Sequence, residues 1–254
     1  MAPQDYAFEV EMTADRDPQH TLLVGLSNIG MAGLTTADYL VRNSDAEQIG
    51  YISPDDLPAI TPFADGEPRH HTRVYRIPDS DVTVLLGELF IPVAAAKSFT
   101  ADLLDWATSA GIENIAVLNG VPYPHAPDKH DVFHVATPAY RNQYVEETDI
   151  DPLTGGFLDG VAGELMTRGL EDAFPPVGVF VTPTHPPGPD IDAALRFLDV
   201  LQAVYDLSVD RTELAQLAGE VQQYYAELAD RIQALDDSAQ SVASQEYPED
   251  RMFY

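Results

Sequence analysis

The sequence predicts an α/β fold: a mostly parallel sheet flanked by helices, with a C-terminal helical pair and a mobile tail. Three observations carry this reading. Short apolar runs such as Thr21–Leu26 (TLLVGL), Glu113–Leu118 and Val177–Thr182 (VGVFVT) have the composition of strands buried on both faces. Segments of helical length, bounded by prolines and glycines, alternate with them. The 254 residues are 45% apolar and 9% aromatic, which suffices for a sizeable core.

Tyr6–Met12 alternates polar and apolar residues and reads as a short first strand. After Thr21–Leu26, Ser27 or Asn28 is placed to cap a helix over Ile29–Arg42, whose Gly30 and Gly33 permit close backbone packing. Glu47–Ile52 is a strand. Prolines 54, 58, 62 and 68 mark residues 53–71 as a loop. Thr72–Ile77 and Val82–Phe90 form a hairpin about the turn at 78–81. Pro92 opens a helix over Val93–Ala110, and Gly111 ends it. Asn119–Asp131 is a turn-rich loop at a strand's carboxyl end, Val132–Thr137 is a strand, and Asn142–Leu153 has room for a short one. Gly155 and Gly156 are read as opening a helix over Phe157–Gly169. Asp190 caps a helix to about Leu207. A second begins at Asp210 or Thr212 and runs to about Leu235, with apolar residues at helical spacing from Leu214 through Leu217, Val221, Tyr224, Leu228 and Ile232. The expected division is an α/β domain (1–189), a helical extension (190–236) and a flexible tail (237–254).

Thirteen basic against forty-two acidic residues give a net charge of −29, with Lys97 and Lys129 the only lysines. Such a surface repels phosphate backbones and anionic headgroups, so neither nucleic acid nor a membrane is an expected partner. It suits a salt-loaded cytoplasm, where the Debye length falls to about 3 Å at 1 M salt. The absence of cysteine excludes disulfides, thiolate metal sites and a cysteine nucleophile. A start without a signal peptide, and apolar runs too short to span a bilayer, point to the cytoplasm.

No catalytic signature emerges. Gly25–Gly33 (GLSNIGMAG) lies where phosphate loops occur, yet fits neither GxGxxG nor GxxxxGK[ST]. Helix-terminal amides there could hold an anion, and strand–helix packing explains the glycines equally well. Ser27 fails as a nucleophile elbow because position 29 is Ile rather than Gly. His125, His130 and His134 are spaced for a helical chelate, but prolines 122, 124 and 127 forbid that helix; no metal or other cofactor is expected. A ligand cleft at the strand ends would draw on Gly25, Ser27, Asn28, Gly30, Asn119, Gly120, His125 and His185. That cleft is the basis of the alternative reading, a small-molecule or nucleotide-binding enzyme of ligase or phosphorylase type. Met252-Phe253-Tyr254 follows a polar, acidic stretch and offers two apolar anchors and a carboxylate to a partner's pocket.

The sequence resembles the archaeal proteasome-assembly-chaperone family. The residues that carry the resemblance are Gly25–Gly33, Leu118-Asn-Gly-Val-Pro122, Gly155-Gly-Phe-Leu-Asp-Gly-Val-Ala-Gly163 and Val179-Phe-Val-Thr-Pro-Thr-His185. The resemblance implies a nucleoside-phosphorylase-like α/β fold, a homo-oligomer without catalysis, and binding to the α-ring of the proteasome core particle. It also implies a hydrophobic–tyrosine–any-residue tail, in which Met252 is the hydrophobic position, Phe253 replaces the tyrosine and Tyr254 supplies the carboxylate. Some relatives are labelled akin to ATP-grasp ligases, which the shortage of lysine disfavours here. Residues 237–250 have a root-mean-square reach of about 20 Å as a flexible chain and extend to about 50 Å, enough to enter a pocket on a facing ring.

Overall fold

The computed structural model describes residues 6–55, 57, 60–122, 130–171, 173–185 and 188–221. The chain forms two compact units, Met1–Asp210 and Arg211–Tyr254. In the second, a helix begins at 212 and is described to 221; its expected continuation to Leu235 and the tail lie outside the described residues.

The first unit is built on an eight-stranded sheet in the order β1(Phe8–Met12), β3(Glu47–Pro54), β6(Thr72–Arg76), β7(Val82–Gly87), β2(Thr21–Leu26), β8(Asn114–Val121), β10(Val177–Pro183), β9(Phe133–Ala136). The central β7, β2, β8 and β10 are mutually parallel. Antiparallel pairing adds β6, β3 and β1 on one side and β9 on the other. The parallel strands are buried on both faces, as their continuous apolar composition requires: Leu22, Leu23, Val24, Leu85, Leu86, Ile115 and Ala116 have no measurable exposure. The expected β6–β7 hairpin is present. The proline-rich loop before it holds a small hairpin that the sequence did not suggest, β4(Phe63–Ala64) with β5(Glu67–Pro68).

Helices α1(Ala32–Arg42) and α5(Ile191–Tyr205) cover one face of the sheet, and α2(Val93–Ser109) and α4(Gly160–Arg168) the other. Phe99 and Leu103 of α2, Leu165 of α4 and alternate strand residues such as Leu22, Val24 and Val179 make one continuous core. Across that core Phe8 of β1 meets Phe99 edge-to-face with ring centroids 5.1 Å apart. The opposite face depends on glycine. A Cβ on Gly25 would sit 2.5 Å from the Gly33 carbonyl oxygen, and one on Gly33 would collide with the Leu118 carbonyl, so the missing side chains let α1 lie directly on β2 and β8.

Four expectations are corrected. The strand expected over Val82–Phe90 ends at Gly87, and Phe90 lies in the loop that follows. The helix expected from Ile29 begins at Ala32. Met31 stands at its N-cap with φ 48° and no side-chain cap bond, after Gly30 at φ 77°; Asn28 is engaged across the sheet end instead. Asn142–Leu153 holds no strand: α3(Pro138–Tyr140) runs into a π-helical turn, Arg141–Val145, and only Pro152 makes an isolated bridge to His134. The helix expected from Phe157 begins at Gly160, because Gly156 (φ 147°) and Gly160 (φ 57°) hold the segment in turns that leave Phe157 fully exposed. By contrast Asp190 caps α5 as expected, its carboxylate accepting from the Ala193 amide at 2.9 Å.

Candidate functional site

Strand order positions the site. β2 and β7 are parallel neighbours, but the chain leaves β2 for α1 on one face and leaves β7 for α2 on the other. Their outgoing loops diverge, which opens the crevice that α/β sheets form at a topological switch point. The crevice encloses about 410 Å³. Leu26 ends β2 and Ile29 lies in the loop after it; Phe90, Ile91 and Val93 come from the loop after β7 and the start of α2. The end of β8 and the first turn of α4 complete the walls.

Its polar groups are few. Asn28 Nδ2 donates to Asn119 Oδ1 at 3.2 Å and approaches the Gly120 carbonyl at 3.5 Å, tying the ends of β2 and β8 together. Asn28 Oδ1 is buried and accepts no hydrogen bond from the described residues. The N-caps of α2 and α4, Pro92 and Asp159, make no side-chain cap bond, and Val93 of α2 and Gly160, Val161 and Ala162 of α4 line the crevice. Asp159 is the one ionisable residue lining it among the described residues.

The rim after β7 is held by a charge cluster. Glu88 accepts from Arg69 Nη2 at 2.8 Å and from the fully buried Arg73 at 3.0 Å, and Arg73 also donates to the His70 carbonyl at 2.7 Å. Beside it, burial together with the neighbouring His70 holds the His71 imidazole below its ordinary pKa. The clamp fixes residue 88, two positions before Phe90.

Of the residues expected in a cleft, Ser27, Asn28, Asn119 and Gly120 line this one. Gly25 lies behind it, beneath α1. Gly30 and Gly120 both face Thr184, whose side chain would lie 2.6 Å and 2.5 Å from a Cβ at those positions and whose hydroxyl donates to the Ile29 carbonyl at 3.2 Å. Thr184 thus fills the corner expected for His185. His185 turns instead to Asp190, which accepts from its amide and bonds its Nδ1, both at 2.9 Å, and its ring lies 5.2 Å from that of His130. His125, Met252, Phe253 and Tyr254 are outside the described residues. Phe90, Ile91, Val93 and Asp159 escaped sequence reasoning; the signal for the first three was the outgoing loop of β7, usable only once β7 is known to adjoin β2.

The fold and crevice define a doubly wound α/β protein with its ligand-type opening at the strand carboxyl ends. The PAC2 family profile matches residues 22–229, and the chain belongs to that family. Its structure is similar to that of PbaA from Pyrococcus furiosus, an archaeal homolog of proteasome-assembly chaperone, with a TM-score of 0.77 and 18% identity over 94% of this chain and 99% of that one. It is similar as well to P. furiosus PbaB, an archaeal proteasome activator (TM-score 0.73, 17% identity, 88% and 98% covered). A PAC2 family protein from Streptomyces avermitilis shares the architecture, with a TM-score of 0.61 and 20% identity over 83% and 96% of the two chains. At these identities the structural likeness shows the fold. No curated protein matches the sequence. Among the described residues no helix is long and apolar enough to cross a membrane.

Proposed function

We propose that this chain is a non-enzymatic proteasome-assembly-chaperone-like protein that binds the α-ring of the core particle through Met252, Phe253 and the Tyr254 carboxylate. The α/β body serves as a homo-oligomeric platform in a salt-loaded archaeal cytoplasm. The observation that carries the reading is membership of the PAC2 family across most of the chain. The likeness to PbaA, a homolog of proteasome-assembly chaperone, and to PbaB, a proteasome activator, supports it, as does the apolar end of an otherwise polar and acidic C-terminal stretch. Several tails on one oligomer would act together and raise avidity without new contacts per tail.

The test is capture by the proteasome core particle in molar KCl, comparing the full chain with a truncation to residues 1–251. The full chain is retained and the truncation loses at least tenfold in affinity. Phe253→Tyr, which restores a hydroxyl to the docking position, binds more tightly. Equal capture of the truncated and full chains removes the tail from the mechanism; capture of neither removes the proteasome.

A further inference from the structure

We infer that a groove between β9 and α4 is a face on which two copies of this chain meet, each seating its Phe157 in the groove of the other. This inference rests on the homo-oligomeric part of the proposed function and assigns it a contact.

The hole is built by a segment laid along the sheet edge. β9 is the last strand of the sheet. Its His134 amide donates to the Asp151 carbonyl at 3.0 Å, and the Leu153 amide donates to the His134 carbonyl at 2.9 Å, which pins the chain before Phe157. Gly163 lets that chain lie against α4, since a Cβ there would come within 2.5 Å of the Leu158 carbonyl oxygen. The groove left between them encloses about 340 Å³. Val135, Leu153, Leu158 and Met166 line it and also pack on the main core. None of its described lining residues is ionisable. An apolar cavity of about 150 Å³ accommodates benzene, so a phenyl ring has room here.

The knob stands on the rim of the same groove. Phe157 borders it and is nevertheless fully exposed. Gly156 at φ 147° and Gly160 at φ 57° set the backbone on either side, so the ring stays out of the opening next to it. Leu170, whose amide donates to the carbonyl of the lining residue Thr167 at 3.4 Å, adds a second exposed apolar side chain.

Two features select a second copy as the occupant. Knob and hole share one patch, which is what an isologous contact requires: a two-fold axis beside the groove brings each Phe157 to the opening of the other chain. A different partner calls for only one of the pair. Charge argues the same way. Two bodies of net charge −29 repel over most of their surfaces, and contact costs least where the facing patches hold no ionisable side chain. The switch-point crevice, with Asp159 in its lining, lacks that neutrality. Aromatic anchors seated in pockets are the side chains that carry most of the energy of such interfaces.

The test is the molar mass of the full chain in molar KCl, by light scattering after size-exclusion chromatography. The wild type elutes at an even multiple of the chain mass, as a two-fold contact demands. Phe157→Ser, a change at a fully exposed position, raises the dissociation constant at least tenfold and leaves the far-UV circular dichroism unchanged. A p-benzoylphenylalanine in place of Phe157, irradiated in a mixture of labelled and unlabelled chains, crosslinks one copy to residues 153–167 of another. The inference is overturned if the wild type is monomeric up to its solubility limit, if Phe157→Ser associates as tightly as the wild type, or if the crosslinks fall within one chain or on another surface. Capture by the core particle is scored separately: its loss with the oligomer intact strikes the proteasome reading and leaves this contact standing.

Discussion

The two ends of the central parallel strands are finished in opposite ways. At the amino ends, aromatic rings fill the space: Tyr140 lies flat on Gly178, where a Cβ would come within 2.5 Å of its ring atoms. The Tyr140 hydroxyl pairs with that of Tyr205, and the Tyr144 hydroxyl accepts from Asn114 Nδ2 at 2.7 Å. At the carboxyl ends the glycines admit backbone rather than rings, drawing α1 onto β2 and β8, and the crevice beside it stays open. The same residue type seals one end and leaves the other hollow, because what fills the space left by a missing side chain depends on the element packed above it.

The largest effects come from closing those spaces. Gly33→Ala sets a methyl against the Leu118 carbonyl in the middle of the sheet, a fixed obstacle, and should cost on the order of 3 kcal/mol or more. Gly178→Ala meets the Tyr140 ring, itself wholly buried and tied to Tyr205, so relief by side-chain rotation is denied; about 2–3 kcal/mol is expected. Urea unfolding in molar KCl measures both. A Gly178→Ala protein of wild-type stability would show that the amino end is not a tight plug.

Next in size is the hydrogen bond inside that plug. Tyr205→Phe leaves the Tyr140 hydroxyl buried without its partner and should cost about 1–3 kcal/mol. The pair also sets an alkaline limit. Burial pushes both hydroxyls above the ordinary tyrosine pKa of 10.0, so the unfolded chain ionises first. Their contribution to stability is complete below about pH 10 and is lost as pH rises above it. Urea midpoints between pH 9 and 11 should fall for the wild type and fall less for a Tyr140→Phe, Tyr205→Phe double variant.

Much of this contrast was legible in the sequence, in proportion to how local its cause is. β2 spans Thr21–Leu26 as expected, and the β6–β7 hairpin, the Pro92 entrance to α2 and the Asp190 cap all follow from neighbouring residues. Ser27, Asn28, Asn119 and Gly120 are legible as residues of a strand-end cleft because each follows or ends a buried strand, and all four line the crevice. Phe90, Ile91 and Val93 carry no such local signal, because only the pairing of β2 with β7, between segments some sixty residues apart, brings them there, and Asp159 arrives with α4, which packs on α2. The late starts of α1 and α4 were missed for another reason: positive-φ conformations at Met31, Gly156 and Gly160 belong to the tertiary path of the chain. The tyrosine plug gave no sequence signal, since nothing local says which ring will lie on Gly178.

The smallest expected effect sharpens the view of the open end. His71 sits beside the Glu88 clamp that holds the crevice rim, and its pKa is lowered chiefly by burial, then by His70, with Glu88 opposing and Arg73 reinforcing the shift. A histidine whose folded pKa lies below the ordinary 6.5 is stabilising in its neutral form. Its contribution is complete above about pH 6.5 and is lost as pH falls below that value. His20 pulls the other way: its hydrogen bond to Asp81 raises its pKa, so it favours the fold on the acid side. In a His20→Gln background the urea midpoint should therefore fall between pH 7 and 5.5, above the range where most carboxylates titrate. Adding His71→Gln should flatten that slope while leaving the melting transition at pH 7.5 nearly unchanged. A slope that persists in the double variant would place the acid sensitivity elsewhere, leaving the rim clamp indifferent to the protonation of its neighbour.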